Sequence, residues 1–334
     1  MSNPARARIT AIGTYVPEKV LTNADLEQMV DTNDEWIVTR TGIRERRISA
    51  PDEYTSDLCV AAARNLMQRY DKSLDDVDMI LVATTTPDFS FPSTAALVQH
   101  RLNIPTTAGA MDLSAACAGF VYALHMAHSF ILSGLHRKIL VFGAETLTKI
   151  TDYTDRSTCV LFGDGAGAVL VEADEERDRF LAYRLMSDGG KGQHIYLNAT
   201  PDRRINELTL TDTGYIVQNG REVFKWAVRT LPEEIRQLLN DDSEGLTESK
   251  VDWFIPHSAN LRMIEPVCEK LGFPLDRTLY SLVQNGNTSA ASIPLALDRG
   301  VRDGRVKSGD RLLLYGFGAG LVQAGQLLEW TLEK

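Results

Sequence analysis

Residues 108–134, AGAMDLSAACAGFVYALHMAHSFILSG, join a strand pattern to a helix pattern. The apolar run 108–113 predicts a buried strand, and residues 119–134 place apolar side chains at helical spacing. Cys117 lies at the junction, among small residues that let a substrate approach the backbone. At a helix N-terminus, unpaired N–H groups and the helix dipole favour thiolate. Cys117 is therefore a candidate nucleophile, although a free cysteine is more commonly a buried core residue.

Strand and helix patterns alternate outside this stretch. Continuous apolar runs predict buried strands at residues 79–83, 139–142 and 168–171, and helical periodicity predicts helices at residues 58–70 and 94–102. Alternation of this kind indicates an α/β layered protein.

The second half of the chain repeats two patterns of the first half. Residues 74–80 (LDDVDMI) are echoed by residues 248–254 (ESKVDWF), and residues 163–167 (GDGAG) by residues 316–320 (GFGAG). Because the two echoes follow the same order, they indicate a duplicated α/β unit.

We place the break between the repeats in the charged stretch near residues 173–180. The N-terminal half is then residues 1–173 and the C-terminal half residues 174–334. The glycine run 163–167 also matches the letters of a dinucleotide-binding fingerprint, which requires a following helix. Residues 169–171 predict a strand instead, so we reject nucleotide binding and expect the glycines to allow close packing.

The composition is that of a globular protein, with 334 residues, 44% hydrophobic and 24% charged. A formal net charge of −10 argues against a nucleic-acid-binding protein, which would present a basic face. The chain has no run of about 18 apolar residues, so we expect no transmembrane helix and no membrane partner. The N-terminal residues MSNPAR have no apolar signal core, which predicts a cytoplasmic protein.

The four cysteines are widely spaced and form no C-x-x-C pair. This spacing argues against a zinc site or a disulfide scaffold and fits reduced thiols. We interpret three of them as core residues, with Cys59 and Cys268 in helices and Cys159 in a strand. No metal site is expected.

Two further polar segments stand where strand patterns end, like Cys117. His257 follows the apolar strand 251–255, and Asn287 belongs to residues 285–292 (NGNTSAAS), a turn that opens a helix. Open α/β sheets place ligands at such strand ends. The remaining histidines lack this setting. The three segments together predict a Cys/His/Asn active site.

The chain resembles β-ketoacyl-acyl-carrier-protein synthase III, the initiating condensing enzyme of bacterial type II fatty-acid synthesis. The motifs are residues 31–44 (DTNDEWIVTRTGIR), 162–167 (FGDGAG) and 286–292 (GNTSAAS). The resemblance implies the thiolase-like fold, two duplicated halves in a layered αβαβα architecture. Two departures are Ser258, where the family usually has Gln, and Ala319, within a usual glycine run. The Ser form resembles a second initiating synthase of some Gram-positive bacteria.

The resemblance implies a decarboxylative condensation of an acyl-CoA with malonyl-acyl-carrier protein. Cys117 would hold the acyl group as a thioester, and backbone N–H groups of Cys117 and Ala319 would stabilise the oxyanion. His257 and Asn287 would donate hydrogen bonds to the enolate left by CO₂ loss. Coenzyme A thioester is a substrate, and no cofactor is expected. We expect Ser258 to be tolerated, because Asn260 is unchanged.

The resemblance also implies binding positions. The coenzyme A contacts would be Thr32, Trp36, Arg40, Arg156, Gly220, Phe224 and Asn260. An indole and a guanidinium can sandwich a base, and arginines hold phosphates. Lys225 and Arg262 would meet the acidic carrier protein. Phe91 would cross the interface of a homodimer and close the partner's acyl pocket.

Three alternatives stay open from the residues. A starter synthase or acyltransferase of secondary metabolism would use the same acyl-Cys117, although such relatives commonly alter the His or Asn position. A papain-like thiol hydrolase also uses Cys, His and Asn, but its usual Cys-Gly-Ser-Cys-Trp signature is missing. A non-catalytic partner subunit would lose the cysteine. The acyl primer is open as well: acetyl, branched short-chain or longer.

Overall fold

The computed structural model describes residues 6–197, 203–205, 208–210, 213–241 and 250–333. The strands there are β1 (Ala7–Tyr15), β2 (Lys19–Thr22), β3 (Glu45–Ile48), β4 (Met79–Ala83), β5 (Gly109–Leu113), β6 (Lys138–Thr146), β7 (Asp164–Ala173), β8 (Phe180–Ser187), β9 (Ile195–Leu197), β10 (Arg204–Ile205), β11 (Leu208–Thr209), β12 (Ile216–Gln218), β13 (Trp253–Pro256), β14 (Arg311–Gly318) and β15 (Val322–Glu329). The helices there are α1 (Asn23–Glu27), α2 (Asp34–Thr41), α3 (Thr55–Tyr70), α4 (Thr94–Arg101), α5 (Gly119–Leu132), α6 (Gly220–Asn240), α7 (Leu261–Leu271), α8 (Leu282–Asn285) and α9 (Ser292–Arg302).

The first large sheet has the strand order β1-β7-β6-β4-β5. Strands β4 and β6 are buried at every position, which explains the apolar runs 79–83 and 139–142. β5 pairs only with β4 and forms the edge of the sheet. The prediction of a buried strand at residues 108–113 is therefore wrong about burial, because β5 has no second neighbour among the described residues and is partly exposed.

The second sheet, β13-β14-β15-β8, repeats four strands of the first sheet, β4-β6-β7-β1. The strand directions also match: one parallel pair is followed by two antiparallel pairs in each sheet. β4 and β13 both follow a Val-Asp pair, as the echo predicts. Glu248 and Ser249, which open the second echo, lie outside the described residues. The boundary between residues 173 and 174 stays a prediction.

Helices and sheets alternate in five layers. α5 and α9 lie between the two sheets, where Phe120 and Ile293 share a core with Val141 of the first sheet and Leu314 of the second. α3 and α4 cover the outer face of the first sheet, and α6 and α7 cover the outer face of the second. This confirms the predicted αβαβα architecture.

Two of the three predictions about core cysteines are confirmed, and the third is confirmed for burial only. Cys59 in α3 and Cys268 in α7 are buried helix residues, as predicted. Cys159 is buried but lies in a turn rather than a strand, because its N–H donates to the Asp155 carbonyl 3.0 Å away.

The glycine run leads directly into strand β7, as its sequence predicts. A Cβ atom at Gly163 would lie 2.1 Å from the Asn285 carbonyl oxygen, and one at Gly167 would lie 2.4 Å from Cβ of Pro294. The glycines therefore allow close packing between the two halves, as expected. Within the described ranges, no helix is long and apolar enough to cross a membrane.

Candidate active site

Cys117 lies where the edge strand β5 ends and α5 begins. It is the central residue of a short 3₁₀ turn, Ala116–Ala118, directly before α5, and Ala116 adopts a left-handed backbone with φ of 45°. The Cys117 side chain is partly buried and lines a cavity between the two halves. The predicted junction between a strand and a helix is thus present, and it points the thiol into a cavity.

The thiol of Cys117 is protonated at neutral pH. Burial raises its pKa to about 12; the negative charge of Glu145 acts in the same direction, while the Ser289 hydroxyl and the Cys117 backbone act against it. Burial thus shifts the Cys117 pKa in the direction opposite to the thiolate expected at a helix N-terminus.

His257 follows β13 and is 1% exposed. Its Nδ1 lies 2.8 Å from Oγ of Ser292, and its ring meets the Phe317 ring edge-on with centroids 5.2 Å apart. Burial lowers the His257 pKa to about 3, opposed by the backbone carbonyl of Ser289. The imidazole is therefore neutral at physiological pH and able to donate a hydrogen bond without carrying a charge.

Ser258, the departure from the family sequence, points away from the cavity into a group of serines. Its N–H donates to Oγ of Ser292 at 3.3 Å, and its Oγ accepts from the N–H of Ser281 at 3.0 Å. Ser258 is fully buried and does not line the cavity. A serine at this position is thus hydrogen-bonded behind His257.

Asn287 is held by backbone pairing with the other half of the chain. Its N–H donates to the Leu161 carbonyl at 2.8 Å, and its carbonyl accepts from the N–H of Gly163 at 3.1 Å. The side-chain Oδ1 accepts from the N–H of Ser289 at 2.9 Å. Because Oδ1 is occupied, the amide group left for a substrate is the NH₂ donor.

One cavity brings together the predicted catalytic and oxyanion residues and one predicted coenzyme A contact, Asn260. Cys117 comes from the first half, and His257, Asn287, Asn260 and Ala319 come from the second half; all five line it. The remaining lining residues are largely apolar and include Leu147, Ile150, Leu161, Phe162, Val223, Met263 and Phe317. The arrangement suits an apolar acyl chain attached to a reactive thiol.

The loop that carries Ala319 packs directly on the nucleophile. A Cβ atom at Gly318 would lie 2.9 Å from Cβ and 3.0 Å from Sγ of Cys117. The backbone at Gly318 therefore packs against the thiol, and Ala319 lines the same cavity; the oxyanion role of the Cys117 and Ala319 N–H groups stays a prediction.

The predicted adenine and phosphate residues cluster around one indole. Arg156 and Arg40 place their guanidinium carbons 4.5 Å and 5.7 Å from the centre of the Trp36 ring. Arg156 also donates to the Asp31 carbonyl at 2.7 Å. Thr32 has a buried hydroxyl oxygen without a hydrogen-bond partner among the described residues.

The tunnel and carrier-protein positions lie on two helices that border the cavity. Gly220 and Phe224 of α6 do not line the cavity themselves, whereas Val223 between them does. Lys225 of α6 is exposed and its Nζ lies 2.7 Å from Oε1 of Glu222. Arg262 is exposed at the second position of α7.

Phe91, which was predicted to cross a dimer interface, lies on the surface of this chain. It is 86% exposed, the most exposed large apolar side chain among the described residues. It precedes α4, which packs beside the edge strand β5.

Glu145 belongs to the site but was missed in the sequence. This residue is fully buried in β6, and its carboxylate accepts from Thr85 N–H at 3.1 Å and from Thr86 Oγ1 at 2.7 Å. Burial raises its pKa to about 7, against the hydrogen bonds from the threonines and Ser289. β6 also contains Lys138 and Thr146, so a carboxylate in this strand carries no distinct signal in the sequence. Among the described residues, no cluster of three or more potential metal ligands is present.

Comparisons with known proteins identify the family. Models of 3-oxoacyl-[acyl-carrier-protein] synthase III and of its C-terminal part match residues 111–189 and 242–330. The chain is 60% identical over 329 residues to a β-ketoacyl-[acyl-carrier-protein] synthase III 2 of Halalkalibacterium halodurans, covering 98% of each chain. It is 56% identical over 326 residues to the protein of the same name from Bacillus subtilis, covering 98% of this chain and 99% of that one.

A solved structure agrees with this assignment. The β-ketoacyl-[acyl-carrier-protein] synthase III of Thermus thermophilus superposes with a TM-score of 0.92 at 47% identity, covering 96% of this chain and 98% of that one. The resemblance proposed from the motifs, including its second-copy form, is confirmed. The chain belongs to the β-ketoacyl-acyl-carrier-protein synthase III family.

Proposed function

We propose that this chain condenses an acyl-CoA primer with malonyl-acyl-carrier protein, giving 3-oxoacyl-carrier protein, CoA and CO₂, and so initiates fatty-acid synthesis. The observation that supports this most directly is the cavity shared by Cys117, His257 and Asn287. It holds a nucleophile on one side and two neutral hydrogen-bond donors on the other, which is what the two half-reactions require.

In the first half-reaction, Sγ of Cys117 attacks the thioester carbonyl of the acyl-CoA. The new C–S bond replaces the bond to coenzyme A, which leaves as the thiol with the proton that Sγ loses. The N–H groups of Cys117 and Ala319 are the proposed oxyanion donors; the contact between Gly318 and Cys117 supports this role.

In the second half-reaction, malonyl-carrier protein loses CO₂ and its thioester becomes an enolate. The enolate oxygen needs donors that are not themselves anionic. Neutral His257 and the NH₂ group of Asn287 meet this need. The enolate carbon attacks the acyl-Cys117 carbonyl, the C–S bond breaks, and the departing Cys117 thiolate takes a proton from solvent.

The binding roles are part of the same proposal. Thr32, Trp36, Arg40 and Arg156 would hold the nucleotide of coenzyme A. Gly220, Phe224 and Asn260 would line the tunnel for its pantetheine arm. Lys225 and Arg262 would contact the carrier protein from the helices that border the cavity. The proposed reaction needs no cofactor. The cytoplasmic location stays a prediction.

We propose a homodimer formed along the edge of the first sheet. In the part of the chain that the structure describes, no strand pairs with the outer edge of β5, and such edges favour pairing with another chain. Phe91 and Phe89 are exposed apolar side chains in the segment before α4, next to this edge. A second copy would cover them and bring Phe91 to the partner's acyl pocket.

Intact-protein mass spectrometry with a panel of acyl-CoAs tests the function. Wild-type protein should gain the mass of one acyl group, mapped to the peptide of Cys117, and Cys117→Ala should gain nothing. The buried residues Cys59, Cys159 and Cys268 are internal controls that should stay unmodified. The absence of any adduct with a demonstrably reduced thiol would contradict the proposal, and the panel would also rank the primers.

A second assay separates the proposal from its main alternative. Incubation of the acylated protein with malonyl-carrier protein should release CO₂ and yield a 3-oxoacyl product. Transfer of the acyl group to another acceptor without CO₂ release would indicate an acyltransferase of secondary metabolism instead.

A further inference from the structure

Arg46 in β3 is a buried cation outside the site described above. Its side chain is 0% exposed, and burial lowers its pKa to about 10, so it stays charged at neutral pH. Among the described residues it forms no ion pair with a carboxylate. Its partners are oxygen atoms of the Val160 backbone and the Asn23 side chain. A buried charge with these partners is costly to keep and calls for an explanation.

One side of the guanidinium holds the segment that pairs with Asn287. Both Nε, at 3.0 Å, and Nη2 donate to the Val160 carbonyl, next to Leu161 and Gly163, which pair with the Asn287 backbone. The aliphatic stem lies under the same turn, since a Cβ atom at Gly286 would lie 3.0 Å from Cγ of Arg46. Arg46 therefore contacts the Asn287 turn with its aliphatic stem and holds residues 160–163, which pair with that turn, with its guanidinium.

The other side of the guanidinium reaches the helix that carries Trp36. Nη1 donates to Oδ1 of Asn23, and Nδ2 of Asn23 donates to Oδ1 of Asp34 at 2.7 Å. Asp34 is the first residue of α2, two residues before Trp36. The chain of contacts thus runs from the Trp36 helix through Asn23 and Arg46 to the turn of Asn287.

We infer that Arg46 is a positioning residue that aligns Asn287 for the condensation step and ties that alignment to the helix of the coenzyme A site. The inference rests on the proposed function of Asn287 and Trp36. Among the described residues Arg46 forms no hydrogen bond with Cys117, which lies between β5 and α5 and whose hydrogen-bonded link to the Asn287 turn runs through Ser289. We call the Arg46 hydrogen bonds to Val160 and Asn23 the clamp. Loss of the clamp should therefore impair the condensation half-reaction much more than acylation of Cys117.

The experiment compares Arg46→Lys and Arg46→Met with the wild type in both half-reactions. Acyl-Cys117 formation is followed by intact mass, and condensation by CO₂ release from malonyl-carrier protein. Lysine keeps the charge but cannot bond both Val160 and Asn23 as the guanidinium does. Arg47→Met is the matched control, because Arg47 is the neighbouring residue and its carbonyl contacts, to Pro17 and Glu18, are 3.4 and 3.5 Å long.

For both Arg46 variants we expect the kcat of condensation to fall at least tenfold, acylation kcat to stay within threefold and the KM for acyl-CoA to rise. Arg47→Met should match the wild type. Unchanged condensation, or a parallel loss of both half-reactions, would overturn the inference. If the Arg46 variants do not fold, Asn23→Ala removes one arm of the clamp and should show the same split at smaller size. A wild type inactive in both assays would instead contradict the proposed function.

Discussion

The backbone of Gly318 packs on the side chain of Cys117, leaving 2.9 Å between the Cys117 Cβ and the place where a Gly318 Cβ would stand. Gly318→Ala should therefore displace the nucleophile or the oxyanion loop and slow acylation of Cys117 at least tenfold, measured by mass spectrometry. Gly189→Ala is the matched control, since a Cβ atom there meets nothing within 4 Å. Normal acylation in Gly318→Ala, with an unchanged Tm, would contradict the packing argument.

The amide of Asn287 should be essential for condensation and dispensable for acylation. Asn287→Asp replaces the NH₂ donor by a group that repels the enolate, so condensation should fall by about 100-fold or more. Acylation of Cys117 should stay within about threefold, because Asn287 acts after it. Asn285→Asp adds the same charge two residues away, outside the cavity lining, and should retain condensation. Equal losses in the two variants would show a general charge effect.

The reactivity of Cys117 should rise steadily with pH. With a pKa of about 12, the thiolate fraction grows about tenfold for each pH unit between pH 6 and 9. The rate of alkylation by iodoacetamide, counted as mass added to wild type and absent from Cys117→Ala, should follow this increase without a plateau. A plateau near pH 7 would restore the original expectation of a stable thiolate at the helix N-terminus.

Glu145 should make the folded protein less stable as pH rises. Its pKa is raised from 4.5 to about 7 in the folded state, so the native state binds more protons between these values and stability falls with pH. The full effect is about 3 kcal/mol. Compared with Glu145→Gln, wild type should lose about 2 kcal/mol of unfolding free energy between pH 5 and pH 8 in urea titrations. A difference that is constant with pH would show that Glu145 is already ionised at pH 5.

Trp36 should contribute to binding of the nucleotide and not to the chemistry. Stacking of a base on an aromatic ring is worth about 1–3 kcal/mol, so Trp36→Ala should raise the KM for acyl-CoA about tenfold. An acyl-pantetheine thioester, which lacks the nucleotide, should react equally well with both proteins. Equal losses with both substrates would assign Trp36 a packing role.

The sequence predicts the architecture through features that are local along the chain. Strand β4 and residues 139–142 of β6 are recognisable because they are continuously apolar, and the Val-Asp pairs before β4 and β13 reveal the repeat. Cys117 and His257 are recognisable because each follows a strand end, and strand ends meet at one edge in this class of fold. The expectation that Asn287 also follows a strand end is wrong, because Asn287 follows the short helix α8.

Features that depend on neighbours from distant parts of the chain are not predictable in this way. The apolar run before Cys117 gives no sign that β5 is an edge strand, since an edge is defined by an absent neighbour. The pKa of Cys117 depends on desolvation, which its own segment does not encode. Glu145 and Arg46 look like ordinary charged residues until their burial is known.

Because Phe162 pairs with Asn287, the geometry of the active site depends on how the two halves pack together. Apolar contacts tolerate small rotations, whereas two backbone hydrogen bonds of about 3 Å fix one register. The position of the Asn287 amide is thus fixed by backbone hydrogen bonds between the duplicated units rather than by either unit alone. Halves produced as separate chains would recover condensation only after joining in that register, so turnover would report the fidelity of their assembly.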